Sequence, residues 1–153
     1  MLHDLARLYS ANKLLEESQA HGLPIDAYAR EHPIVLHAPL GARLAQKQFG
    51  IGDPAILSAI SKHTLADGQM SRLDCVLYLA DGLEPGRDFA DRPALAALAL
   101  ENLERAMALT IKSSLDLLKE KGLEAAPQSL AAAHFFGLAA GTTDPEAVPV
   151  RVN

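Results

Sequence analysis

Five residues of this chain pair metal-binding chemistry with apolar surroundings. They are His3 and Asp4 in Met1-Leu2-His3-Asp4-Leu5-Ala6, His37 after Ile34-Val35-Leu36, His63 just past Ile60, and Asp81 after Tyr78-Leu79-Ala80. Burying any of them without a partner is costly, because the lost hydration is not returned. Asp81 stands at the expected end of a helix, where a carboxylate meets the negative end of the macrodipole and is disfavoured by about 0.3–1 kcal/mol. A bound cation would reverse that sign. Each residue alone has an ordinary explanation. A histidine near a helix C-terminus, such as His63 or His21, is a favourable dipole partner, Asp4 can be a first-turn residue, and Asp81 a loop entry. Likewise, His32 before Pro33 and His134 beside two phenylalanines read as loop and packing residues. Taken together, three imidazoles and two carboxylates at helix ends suit octahedral divalent ions. Neighbouring helical residues diverge by about 100°, so Asp4 could bridge two ions while His3 serves one.

Helices must bring these residues together. Leu2, Leu5 and Leu8 lie three apart, so a helical stripe is expected from Met1 to about Tyr9, starting abruptly with no capping residue before it. Ser10 can cap a second helix that stops before Gly22, with Leu14 and Leu15 inside. Pro24 to Pro33 reads as a loop holding at most one short turn. A third helix runs from Leu36 or His37 to Phe49 and is closed by Gly50. Asp53-Pro54 opens a fourth, striped by Ile56, Leu57 and Ile60 and ending near His63. After a loop over 64–70, Ser71 and Asp74 resemble a capping box, and Leu73, Val76, Leu77 and Ala80 are the expected buried face of a helix ending at Asp81-Gly82. A loop over 82–92 precedes one long helix from Pro93 to Lys121, on the spacing of Leu103, Met107, Ile111, Leu115 and Leu118. A short helix follows Pro127 to Phe136. The expected class is all-α, an array of about seven helices. From Gly137 onward little could pack, which predicts a mobile tail over 137–153 after one domain over 1–136.

The charge balance narrows the partners. Nineteen acidic against fourteen basic residues give a formal net charge of -5, and no Lys/Arg cluster interrupts it, which argues against a nucleic-acid surface. An anionic substrate must therefore be held locally, by metal ions or a few placed cations. No apolar run approaches the roughly 20 residues of a membrane span, and Met1-Leu2-His3-Asp4 lacks the basic start of a signal peptide. The single cysteine, Cys75, excludes an intramolecular disulfide, so a cytoplasmic, reducing setting is expected.

Four segments resemble the HD superfamily, and more closely its branch of symmetrical bis(5'-nucleosyl)-tetraphosphatases. They are LHDLAR at 2–7, LHAPLGARLA at 36–45, FGIGDPAILSAISKHT at 49–64 and RLDCVLYLADGLEPGRDF at 72–89, with a weaker likeness along 93–122. The resemblance implies a helical HD array with two divalent transition-metal ions, iron or alternatively manganese or cobalt. His3, Asp4, His37, His63 and Asp81 are the implied ligands. The implied reaction is hydrolysis of diadenosine tetraphosphate to two ADP, by in-line attack of water at a phosphorus of the central bridge with the ions roughly 3.5–4 Å apart. Arg7, four residues after His3, and Arg87 in the EPGRDF loop are the implied catalytic and substrate-binding cations. Lys62 and Thr64 are further substrate-binding candidates. The ordinary alternatives are a solvent-facing charge for Arg7 and an ion pair with Asp88 or Asp91 for Arg87.

The family pattern carries one more histidine on a helix upstream of the His-Asp pair, and only Met1 and Leu2 precede His3 here. On this reading one ion lacks a ligand and the array lacks its first helix. That leaves apolar surface uncovered and favours self-association, with a homodimer as the expected state. The start of the chain would then be either internal to a longer protein or that of a genuine short form. The alternatives to the leading activity are an HD phosphohydrolase of another nucleotide or phosphate ester, and a catalytically impaired nucleotide- or metal-binding module.

Overall fold

The computed structural model describes residues 2–138, and within them the chain forms eight α-helices and two short 3-10 turns, with no strand among the described residues. The all-α expectation holds. The chain divides into two compact units, 1–65 and 66–153, of which the second is described to Leu138.

The first unit holds a 3-10 turn η1 (Leu2–Asp4), α1 (Ala11–Ala20), α2 (Ala27–Glu31), a second 3-10 turn η2 (Pro33–Leu36), α3 (His37–Phe49) and α4 (Pro54–Lys62). Local chemistry sets most of its boundaries. The Ser10 hydroxyl accepts from the Lys13 N–H, and Asp26 and Asp53 cap α2 and α4 through Ala29 N–H and Ala55 N–H. Each cap satisfies a donor the helix leaves open, and losing one costs typically about 1 kcal/mol. Gly50 ends α3 in the left-handed region at φ 67°, where a Cβ would be strained. Ala6, Leu14, Ala29, Leu36, Leu40 and Leu44 form the core of this unit. Full burial of a leucine such as Leu14 or Leu40 is worth about 1.5–3 kcal/mol.

The N-terminal helix expected to reach Tyr9 is not formed. η1 ends at Asp4, and turns follow, closed by Arg7 N–H donating to the Asp4 carbonyl and Tyr9 N–H to that of Ala6. The leucine stripe misled because the small residue between, Ala6, is fully buried, whereas Leu8 is 96% exposed.

The second unit contains α5 (Arg72–Gly82), α6 (Arg92–Glu101), α7 (Leu103–Glu120) and α8 (Pro127–Phe135). The Ser71/Asp74 capping box is present in both directions, the hydroxyl accepting from Asp74 N–H and the carboxylate from Ser71 N–H. Two expectations fail here. The long helix over 93–121 is two helices, because Asn102 adopts φ -146° and its side chain accepts from Arg105 N–H, starting α7 afresh. The inward face of α5 is Asp74, Cys75 and Leu79, while Leu73 and Val76 are exposed at 42% and 49%. The box turns Asp74 inward, and α5 is apolar nearly all round, so its stripe was ambiguous. The core gathers Cys75, Leu79, Leu95, Met107, Ile111, Ala132 and Phe136. Burial pushes the Cys75 thiol up to about 11, with Asp74 and Glu104 adding to the effect. After α8, Gly137 at φ 76° and Leu138 close the helix, Leu138 N–H donating to the Ala133 carbonyl. The remainder of the expected tail lies outside the described residues. Among the described residues no helix is long and apolar enough to cross a membrane.

Candidate metal centre

Three elements of the first unit bring the site together. η1 supplies His3 and Asp4 and packs on α3 and α4. The Pro33-started turn η2 hands the chain directly to α3, so His37 is both the cap of one and the first residue of the other. His63 is the C-cap that follows the last residue of α4. All three imidazoles are buried, at 3–5% exposure, and Asp4 is half-exposed.

The Asp4 carboxylate lies among all three rings. Its Oδ2 is 3.3 Å from His3 Nε2, while its Oδ1 is 3.5 Å from His37 Nε2 and 3.7 Å from His63 Nε2. The two oxygens thus face different histidines. His37 Nε2 and His63 Nε2 are 3.2 Å apart, and the Thr64 hydroxyl is 3.2 Å from each. The far side of both rings is fixed as well. His37 Nδ1 donates to the Ile34 carbonyl and His63 Nδ1 donates to the Ile60 carbonyl at 2.7 Å.

Those two bonds decide the chemistry. A neutral imidazole whose Nδ1 carries the proton has its lone pair on Nε2. Both Nε2 lone pairs therefore point at one another and at a carboxylate, and the Thr64 hydroxyl has one proton to give. Burial holds His37 below its ordinary value of 6.5, with smaller downward pushes from His63 and Arg7, against upward ones from the Ile34 bond and Asp4. For His37, protonation is thus unfavourable, whereas a divalent cation takes imidazole nitrogen and carboxylate oxygen together. The donor atoms of His3, Asp4 and His63 lie within 4.8 Å of one another. The residues fit a metal ion.

The family model for the HD domain matches residues 1–86, more than half of the chain. This chain belongs to the HD domain family. A symmetrical bis(5'-nucleosyl)-tetraphosphatase of Bacillus subtilis (strain 168) is 32% identical over 130 residues, which cover 84% of this HD chain and 69% of that protein. A probable nicotinate-nucleotide adenylyltransferase/Ap4A hydrolase of Mycoplasma genitalium is 35% identical over 124 residues, 77% of this chain but 35% of that protein. The chain therefore spans about a third of the length of that relative. Among solved structures, a predicted HD superfamily hydrolase involved in NAD metabolism from Clostridium acetobutylicum superposes with a TM-score of 0.84 at 29% identity, covering 88% of this chain and 71% of that one.

Of the nine site residues read from the sequence, the structure gathers His3, Asp4, His37, His63 and Thr64 into the cluster. Arg7 is exposed, close enough to His37 to lower its basicity, and sits in the turn after η1 instead of in the helix expected from Met1 to about Tyr9. Lys62 is the last residue of α4, half-buried. Asp81 and Arg87 belong to the second unit, where Arg87 Nη2 donates to Asp81 Oδ2 at 3.3 Å and Nε lies 3.7 Å from Glu84 Oε1. The ion pair foreseen for Arg87 with Asp88 or Asp91 is thus made with Asp81 and Glu84. Sequence reasoning missed the carbonyls of Ile34 and Ile60, although an Ile-x-x-His spacing precedes both histidines.

Proposed function

We propose that this HD domain is a metal-dependent hydrolase of dinucleoside polyphosphates, cleaving diadenosine tetraphosphate symmetrically to two ADP. The observation that carries it is the Asp4 carboxylate lying 3.3–3.7 Å from Nε2 of His3, His37 and His63, with Nδ1 of His37 and His63 tied to main-chain carbonyls. The names borne by the Bacillus and Mycoplasma relatives support the substrate class.

His3, Asp4, His37 and His63 are the residues of the cluster that would hold the ions, and Asp81 is added as a ligand on the sequence resemblance. Two divalent ions, iron or alternatively manganese or cobalt, supply when bound charge neutralisation on the phosphate oxygens and a water acidic enough to attack near neutral pH. The protein's own contribution is orientation. The Ile34 and Ile60 carbonyls keep two imidazoles from rotating, and burial of the rings keeps bulk water from competing for them. Asp4, half-exposed, is the face of the cluster that meets incoming substrate and can take a proton from an attacking water. Arg7 offers a guanidinium to a non-bridging phosphate oxygen, and Thr64 a hydroxyl donor. Arg87 and Lys62 complete the set of substrate contacts proposed from the sequence. Attack forms a new P–O bond at a phosphorus beside the central bridging oxygen and breaks the bond to that oxygen. ADP leaves, and the hydrolysed half is the second ADP. Cytoplasmic location and a homodimer belong to the same proposal.

The deciding measurement is product analysis after reconstitution with Fe²⁺, Mn²⁺ or Co²⁺. ADP as the sole nucleotide product from diadenosine tetraphosphate is the expected result. ATP plus AMP would overturn the symmetrical reading, and bound nucleotide without turnover would favour a binding module. The likeness to the Clostridium protein, a predicted hydrolase involved in NAD metabolism, favours one second reading: a hydrolase of another nucleotide. Faster turnover of a pyridine dinucleotide than of diadenosine tetraphosphate would select it.

A further inference from the structure

Gly41 lies one helical turn after His37, on the buried face of α3. A Cβ at this position would stand 2.9 Å from the main-chain oxygen of His3 and 3.7 Å from Cγ2 of Ile60. The first contact is closer than carbon and a carbonyl oxygen approach even in a weak C–H···O bond, about 3.3–3.6 Å. The obstacle is backbone, which cannot swing aside as a side-chain tip would. No left-handed φ calls for glycine here, and glycine inside a helix costs roughly 0.5–1 kcal/mol relative to alanine. What the missing side chain provides is depth: η1 seats directly on the α3 backbone. η1 carries His3 and Asp4, and Ile60 is the residue whose carbonyl orients His63.

We propose that Gly41 is a positioning residue of the metal centre, its absent side chain setting the depth at which the Asp4 carboxylate reaches the Nε2 atoms of His37 and His63. Alanine at 41 would lift η1 and widen the 3.3–3.7 Å carboxylate-to-imidazole distances by several tenths of an ångström. Helix propensity pulls the other way, so fold stability and metal affinity separate in this variant. The proposal rests on the reading of the cluster as a metal centre.

The test compares the full chain with G41A, G41S and the control G52A, whose added methyl meets nothing within 4 Å. Mn²⁺ affinity is measured by titration calorimetry, thermal unfolding is followed in chelator, and imidazole nitrogen NMR is recorded on the chelated proteins. G41A is expected to bind Mn²⁺ at least tenfold more weakly and G41S more weakly still. G52A stays at the wild-type value, and the chelated Tm of G41A stays within a few degrees of wild type. The His3, His37 and His63 imidazole signals should move in G41A and not in G52A. Equal Mn²⁺ affinity with unmoved imidazole signals would overturn the proposal. If the wild type bound no Mn²⁺ while the signals still moved, the metal reading would fail and the positioning role would stand. Should G41A unfold, the measurements are repeated in an osmolyte that favours the compact state. Failure to fold even there would make Gly41 a folding requirement and also overturn the proposal.

Discussion

Replacing Asp4 by Asn keeps the size and planarity of the side chain and removes its charge from the midst of three imidazoles. Two unit charges 4 Å apart interact by about 4 kcal/mol at an effective dielectric of about 20. The Asp4 side chain is 40% exposed, which screens the interaction and reduces it to roughly half, about 2 kcal/mol per unit of cation charge. For a divalent ion that is about 4 kcal/mol, and at 1.36 kcal/mol per decade the D4N variant should lose roughly a thousandfold in metal affinity. Titration calorimetry with Mn²⁺ reads this directly, and metal content after dialysis against a weak chelator gives an independent measure. Unfolding in strong chelator separates the effect from stability: without an ion, the chelated D4N protein should unfold close to the wild-type temperature. A loss smaller than about threefold in Mn²⁺ affinity would refute the reasoning, because the carboxylate would then not face the ion that the imidazoles hold.

His37 and Cys75 supply two further predictions. Because burial holds His37 below 6.5, the unfolded chain binds a proton there that the folded chain refuses. Stability of the chelated protein should therefore be full above 6.5 and decline as pH falls below it, and H37N should lose that part of the slope in Tm against pH. Cys75, with its thiol pushed up to about 11 and its side chain buried, should resist iodoacetamide at pH 8 in the native protein and react promptly in denaturant. Alkylation of the native thiol at the denatured rate would contradict its placement.

The parts of this fold that could be read from sequence are those governed by a few adjacent residues. Ser10, Asp53-Pro54, Gly50 and the Ser71/Asp74 box each fix a helix boundary through a hydrogen bond or a φ angle within four positions, and all four fall where expected. Where periodicity alone was the guide, it gave way to longer-range packing. Leu2, Leu5 and Leu8 suggested a helix, but burial of Ala6 and seating of η1 on α3 left a single 3-10 turn. The spacing of Leu103 and Met107 was right for α7, yet nothing in that stripe announced that Asn102 would begin a new helix. The candidate site was legible as a set of residue types in unlikely places. Its geometry was not, because the 3.2 Å approach of His37 and His63 joins positions 26 residues apart. Thr64, read only as a further substrate-binding candidate, is a similar case: its contact with His37 arises only when α4 lies on α3.

Both of the histidines that face Asp4 Oδ1 take their orientation from the carbonyl three residues earlier in their own segment, Ile34 for His37 and Ile60 for His63. Each imidazole thus has its Nδ1 proton held from within its own four-residue segment. Such joints are local: the donor and acceptor that set each tautomer lie three residues apart in one segment. A designer who needs a paired-imidazole site on another helical scaffold could graft the two tetrapeptides at helix ends and expect both rings to arrive already aimed.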